Sequence, residues 1–169
     1  MRHDARMGGD RLAVYLQDHL AGAVLGTELA RRAARENRGS EFGRALGALA
    51  SEIDEDRRTL ERVLAAAGVS RPQAKRAFAW TLEKVGRLKL NGQLRGYSPL
   101  SRLLELEGLA IGITAKRALW VSLGQLAAED SRLAGFDFGA LAERAQRQLA
   151  EVERQRLRAV PLALARTAG

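Results

Sequence analysis

Residues Ser98–Ala127 read SPLSRLLELEGLAIGITAKRALWVSLGQLA, the longest apolar-periodic run in the chain, and they decide the fold class. At about 100° per residue, Leu100, Leu103, Glu107, Ala110, Thr114, Ala118 and Val121 fall on one stripe. Leu106, Leu109, Ile113 and Trp120 fall on a neighbouring stripe. A helix apolar over so much of its circumference reads as the central member of a bundle. Ser98-Pro99 caps its start. Glu107 lies inside the apolar surface, and an isolated buried carboxylate is costly. It therefore needs a partner: a cation, a proton or a metal.

Three more long periodic segments surround this one. From a cap at Asp10, a first helix runs to about Asn37, with Leu12, Leu16, His19, Ala23, Thr27 and Ala30 inward. Gly22 and Gly26 weaken it by roughly 1 kcal/mol each relative to alanine, which close backbone approach to a neighbour would offset. Gly39 closes it and Ser40 opens the next helix, about Glu41 to Ala67, with Gly68 as the residue past its end. Its stripe is Leu46, Leu49, Ile53, Asp56, Leu60, Val63 and Ala67. Asp56 interrupts it as Glu107 interrupts the central stripe, and Glu52 sits at its border. After the central helix, Asp137 caps a last helix, with Phe136 stapling onto Leu141, and Pro161 ends it near Val160. Its stripe is Leu141, Ala145, Leu149, Val152, Arg156 and Ala159, and Arg156 is the residue out of place.

The link between the first two helices is very short, so they are antiparallel neighbours. Residues 69–98 are too many for a hairpin and read as a crossover carrying its own short helix, from the Ser70-Arg71-Pro72-Gln73 capping signal to about Leu90. The expected organisation is an N-terminal tail (1–10), one helical domain (11–160) and a C-terminal tail (161–169). The fold class is all-α: an up-down-down-up four-helix bundle with an extra short helix in the crossover.

Composition narrows the function classes. With 46% apolar and 28% charged residues the chain is a globular protein, and the absence of cysteine removes disulfides, thiolate nucleophiles and Fe–S ligation together. No apolar run is long enough to span a membrane, and the start lacks the apolar segment of a signal peptide, so a cytoplasmic location is expected. Met1-Arg2-His3 could hold Cu(II) or Ni(II) in a square plane, or His3 is incidental. Ser-His-Asp and phosphate-loop patterns are absent.

The strings Tyr15-Leu16-Gln17-Asp18-His19-Leu20 and Glu52-Ile53-Asp54-Glu55-Asp56 look like first- and second-helix sequences of small bacterial members of the ferritin-like superfamily, which the chain resembles over about residues 11–160. That resemblance implies the crossover bundle. It also implies a di-iron site built from one Glu on each of two helices and Glu-x-x-His on the other two. No Glu-x-x-His occurs here. Glu52-x-x-Glu55 stands in the second helix, the last helix has no His, and only Glu107 matches the expected ligand type and place.

His19, Asp56, Glu107 and Arg156 are thus the anomalous residues, one on each stripe. In one reading they form a buried ion-paired cluster that fixes helix register, Arg156 bridging Asp56 and Glu107, in a non-catalytic binding or structural protein without a cofactor. In the alternative, His19, Asp56 and Glu107, with Glu52 or Glu28, hold a single Fe, Mn or Zn ion in an atypical oxidoreductase, with Arg156 set aside.

A third reading rests on charge. Arg71, Lys75, Arg76, Lys84, Arg87, Lys89, Arg95 and Arg102 stand against Glu83 alone, giving residues 71–102 a surplus of +7 out of a net +8. This basic segment is either a solvated face or a surface for nucleic acid, an anionic membrane or an acidic partner, binding without sequence specificity and weakening with salt. The paired glycines Gly22/Gly26, Gly43/Gly47 and Gly108/Gly112 offer tight helix contacts within the chain or across a homodimer.

Overall fold

A computed structural model describes residues 2–69 and 97–165, with side chains from residue 11 onward. The described residues form four long helices and no strand: α1 (Arg2–Glu36), α2 (Gly43–Ala66), α3 (Pro99–Leu126) and α4 (Phe138–Leu164), with a single 3-10 turn at Ser131–Leu133. The expected short helix of the 69–98 crossover lies outside the described residues.

Local chemistry sets most of the boundaries. Ser98 caps α3: its hydroxyl accepts from the Ser101 amide at 3.1 Å, and Ser101 Oγ accepts in return from the Ser98 amide, with Pro99 in the first turn. Asp137 caps α4 through the Ala140 amide at 2.9 Å. Gly68 ends α2 at φ 75°, which lets the Val69 amide reach the Leu64 carbonyl and the Gly68 amide reach Ala65.

Two boundaries differ from expectation. α1 passes through Asp10 and begins at Arg2, because no proline interrupts the residues before it. α4 continues through Pro161 to Leu164. A proline so near the end removes only one hydrogen bond from the last turns.

α1 packs along α2, α3 along α4, and α1 also lies against α3, while α2 and α4 meet sparsely. The helix ends that meet define directions. Arg102, early in α3, donates to Asn37 at the end of α1 at 2.5 Å, and the Arg102 guanidinium stacks 4.3 Å over the Phe42 ring at the start of α2. Arg158, late in α4, covers the same ring at 5.3 Å and pairs with Glu41. At the other end, Arg132 in the α3–α4 turn donates to the carbonyl of Ala67 at 2.9 Å. Hence α2 and α3 run the same way, and α1 and α4 run opposite to both.

The core follows a three-four spacing on each helix. On α3 it is Leu106, Leu109, Ile113, Trp120 and Leu123, so the second of the two apolar stripes faces inward. The first mostly does not: Thr114 and Ala118 are exposed, Val121 is 46% exposed and the nearby Ile111 is 73% exposed. α3 is therefore flanked by α1 and α4 and keeps an outer apolar face. The glycine pairs also differ from expectation. A Cβ on Gly22, Gly26, Gly47 or Gly112 would meet nothing within 4 Å, so these residues leave space where close contact was anticipated. Gly43 is the tight one, with the Asn37 carbonyl oxygen 2.5 Å from where its Cβ would be.

Candidate functional site

Asp56 lies on the inward seam of α2, its side chain 1% exposed. Its Oδ2 accepts from Lys116 Nζ of α3 at 2.5 Å and from Gln148 Nε2 of α4 at 3.1 Å, and its Oδ1 accepts from the Arg144 guanidinium of α4. Lys116 Nζ also donates to Gln148 Oε1 at 2.6 Å, and Gln148 Nε2 donates to Glu52 at 3.0 Å. Arg144 reaches outward to Glu55 at 3.4 Å. One carboxylate thus ties three helices together, with both of its oxygens engaged. Burial pushes the Lys116 ammonium below its ordinary range, and Asp56 pulls it back up.

The four residues expected to converge do not. Arg156 pairs with Glu153 on its own helix at 2.9 Å, and Glu107, half-buried, adds to its field without reaching Asp56. Arg156 is therefore not the bridge, because Lys116 and Arg144 already occupy the carboxylate it was to pair with. Glu28 is exposed and pairs with Arg31 at 3.0 Å, and Glu52 is exposed and accepts from Gln148 at 3.0 Å. His19 is half-buried, edge-on to Tyr15 with 4.6 Å between ring centroids. Burial lowers its pKa, and Asp18 raises it in opposition.

Among the described residues no three of His, Asp and Glu form a group able to hold a metal ion. The donor set does not fit one: the only buried carboxylate of the proposed set is saturated by two cations.

Sequence reasoning missed Lys116, Arg144 and Gln148. A signal existed. Residues 106, 109, 113, 116, 120 and 123 keep alternating steps of three and four, and Lys116 is the one polar member of that series.

A second polar cluster closes the end where α1 meets α3. Tyr97 donates to Glu105 Oε2 at 3.0 Å and accepts from Asn37 Nδ2 at 2.6 Å. Arg32 lies 3.0 Å from the other Glu105 oxygen, which has no aligned hydrogen bond among the described residues, so this contact is an ion pair. Arg102, the one member of the expected basic surface among the described residues, is committed here to Asn37 and Phe42. Arg71, Lys75, Arg76, Lys84, Arg87, Lys89 and Arg95 lie outside them.

Burial pushes the Tyr97 phenol up to about 12; the Asn37 bond lowers it and the Glu105 charge raises it further. A raised folded-state pKa gives stability that is present below the unfolded value of 10.0 and lost as pH rises through about 12. Lys116, whose folded-state pKa is lowered, acts with the opposite sign and only below its unfolded value of 10.5. Urea denaturation between pH 10.5 and 12 should therefore show a fall in stability that is smaller in Tyr97→Phe. Equal slopes in both proteins would rule the phenol out.

Asp56 and Lys116 also line a cleft of about 310 Å³ between α1, α2 and α3, together with His19, Gly22, Gly112 and Trp120. Its walls are mostly apolar, with the ion pair on one side. No helix among the described residues is long and apolar enough to cross a membrane. No protein family, curated protein or solved structure matches the chain.

Proposed function

We propose that this chain is a ferritin-like, up-down-down-up bundle that does no metal chemistry and works as a binding protein, its register held by the Asp56 network. The topology is supported by the shared direction of α2 and α3, which makes the chain leave one at one end of the bundle and enter the other at the opposite end. The loss of metal chemistry is supported by a single observation: Lys116 and Arg144 occupy both oxygens of the one core carboxylate that a metal would need. Two cations at that position repel a third. The outer apolar face of α3, with Leu104 and Ile111 exposed, supports self-association as a homodimer. The lack of cysteine supports a reducing, cytoplasmic setting.

The test is metal content after anaerobic reconstitution with Fe(II), Mn(II) or Zn(II) and desalting. Residues 1–3 are deleted so that a terminal site cannot contribute, and Asp56→Asn serves as the control. Both proteins should come through without retained metal. Near-stoichiometric metal in the parent that disappears in Asp56→Asn would overturn the reading.

A further inference from the structure

The turn from α1 to α2 gathers arginine on one side of the molecule. Arg31, Arg35 and Arg38 follow one another at steps of four and three along the end of α1, and Arg44 stands in the first turn of α2. Together they line a groove of about 580 Å³. No carboxylate lines it among the described residues, and every charged side chain in its walls is a guanidinium.

The counter-charges stand outside the groove and are partly spent. Arg31 lies 3.0 Å from Glu28 and 3.2 Å from Asp54, and Arg35 lies 3.2 Å from Glu36. Asp54 is shared with Arg57 and Arg58, and Glu41, in the turn itself, is held by Arg158 at 2.5 Å. Arg38 and Arg44 are exposed and have neither an ion pair nor a side-chain hydrogen bond among the described residues. The crossover brings no relief, because residues 70–96 hold seven basic residues and Glu83 as the one acid. Arg44 also lines the wider groove between α2 and α4, but that one contains Glu41, Glu52 and Glu151. A lining of one sign is therefore confined to the α1 side of Arg44.

The chemistry of the walls narrows the ligand. Each guanidinium presents five N–H donors in a planar fork, has no acceptor, and keeps its charge. Four of them suit a ligand with anionic oxygens on more than one centre, gripped from both helices at once. A single carboxylate would leave most of these donors in water. The other lining side chains are no larger than alanine, as at Ala34 and Ala50, and none is aromatic. The groove offers nothing to a base, a ring or an acyl chain. What it matches is a run of phosphoryl groups.

We infer that this groove binds a condensed phosphate, two or three phosphoryl groups in a chain, held by Arg38 and Arg44 with Arg31 and Arg35 adding charge. The chain is free or forms the tail of a nucleotide, and both present the same oxygens. The inference rests on the binding-protein reading above and names a ligand class for it. The volume falls within the range of small-molecule sites.

The experiment is isothermal titration of the full chain at pH 7 and low salt with orthophosphate, tripolyphosphate and adenosine triphosphate. Tripolyphosphate should bind one to one, about tenfold more tightly than orthophosphate, and weaken as salt is added. Adenosine triphosphate should match it within about threefold, since nothing in the groove takes the base. Arg38→Gln with Arg44→Gln should weaken tripolyphosphate by about tenfold. That variant should melt within about 2 °C of the parent, because neither side chain has a partner to lose. Arg87→Gln with Lys89→Gln, in the crossover, should leave the affinity unchanged.

An absence of tripolyphosphate binding, orthophosphate binding as tight, or an affinity unchanged in the Arg38/Arg44 variant would overturn the inference. So would a loss as large in the crossover variant, which would move the anion to the basic segment. Much tighter binding of adenosine triphosphate would overturn it too, by showing that the base is recognised. The metal-retention test turns on Asp56 and on none of these arginines, so the two readings fail separately.

Discussion

Asp56→Ala should lower the unfolding free energy by about 3–5 kcal/mol in urea denaturation, the largest single-residue loss available in the inner polar network. The reason lies less in the pair lost than in the charges left behind. Lys116 is 14% exposed and loses its ion-pair partner, keeping the weaker attraction of Glu52, while Arg144 keeps Glu55, at 3.4 Å and on the surface. Removing both charges tests this account. Asp56→Leu combined with Lys116→Met should recover part of the loss, since the buried ammonium goes with the carboxylate, while Arg144 falls back on Glu55 and Gln148 on Glu52. A loss below about 1 kcal/mol in the single variant would mean that Lys116 and Arg144 reach water easily and that the network is not a buried one.

Phe42→Ala should cost about 3–5 kcal/mol, and with it about 6–20 °C of melting temperature. The ring is 1% exposed at the start of α2, where α1 ends, α3 begins and α4 finishes. Arg102 and Arg158 cover it from two helices, so one truncation opens a cavity and strips two guanidinium groups of their platform. Phe42→Leu separates these effects by keeping most of the volume and removing the aromatic face. Calorimetry should place it within about 1.5 kcal/mol of the parent. If leucine costs as much as alanine, the cation–ring contacts dominate and burial does not.

The helices and most of their ends were legible in the sequence because the signals are local. Ser98-Pro99, Asp137 and Gly68 act on backbone groups within a few residues, and each does what its type and position imply. Asp56 was legible as well, since the α2 series at 46, 49, 53, 56, 60, 63 and 67 keeps strict three-four steps.

The partners of Asp56 were missed for one physical reason. On α4 the buried series runs 138, 145, 148, 152, 155, 159, and the sequence stripe took Leu149 and Arg156 in place of Gln148 and Gln155. Hydropathy prefers leucine to glutamine. A buried glutamine that completes a hydrogen-bond network reads as a surface residue until its partner from another helix is in view. Lys116 was hidden in the same way, since its stem packs and its ammonium finds Asp56 60 positions earlier. Glu105 and Asp54, both buried, were missed because arginines from neighbouring turns and helices neutralise them.

The shared direction of α2 and α3 also orders events in time. α1 with α2, and α3 with α4, are hairpins whose contacts are close in sequence. The Asp56–Lys116 and Asp56–Arg144 contacts must bridge 60 and 88 positions. Loop-closure entropy delays such contacts, so the hairpins form first and the charged junction locks late. A contact made after the rate-limiting step governs escape from the native state more than arrival at it. In stopped-flow measurements, Asp56→Ala should therefore fold at nearly the parental rate and unfold much faster. The network then sets how long the folded protein lasts, while the hairpins set how soon it appears.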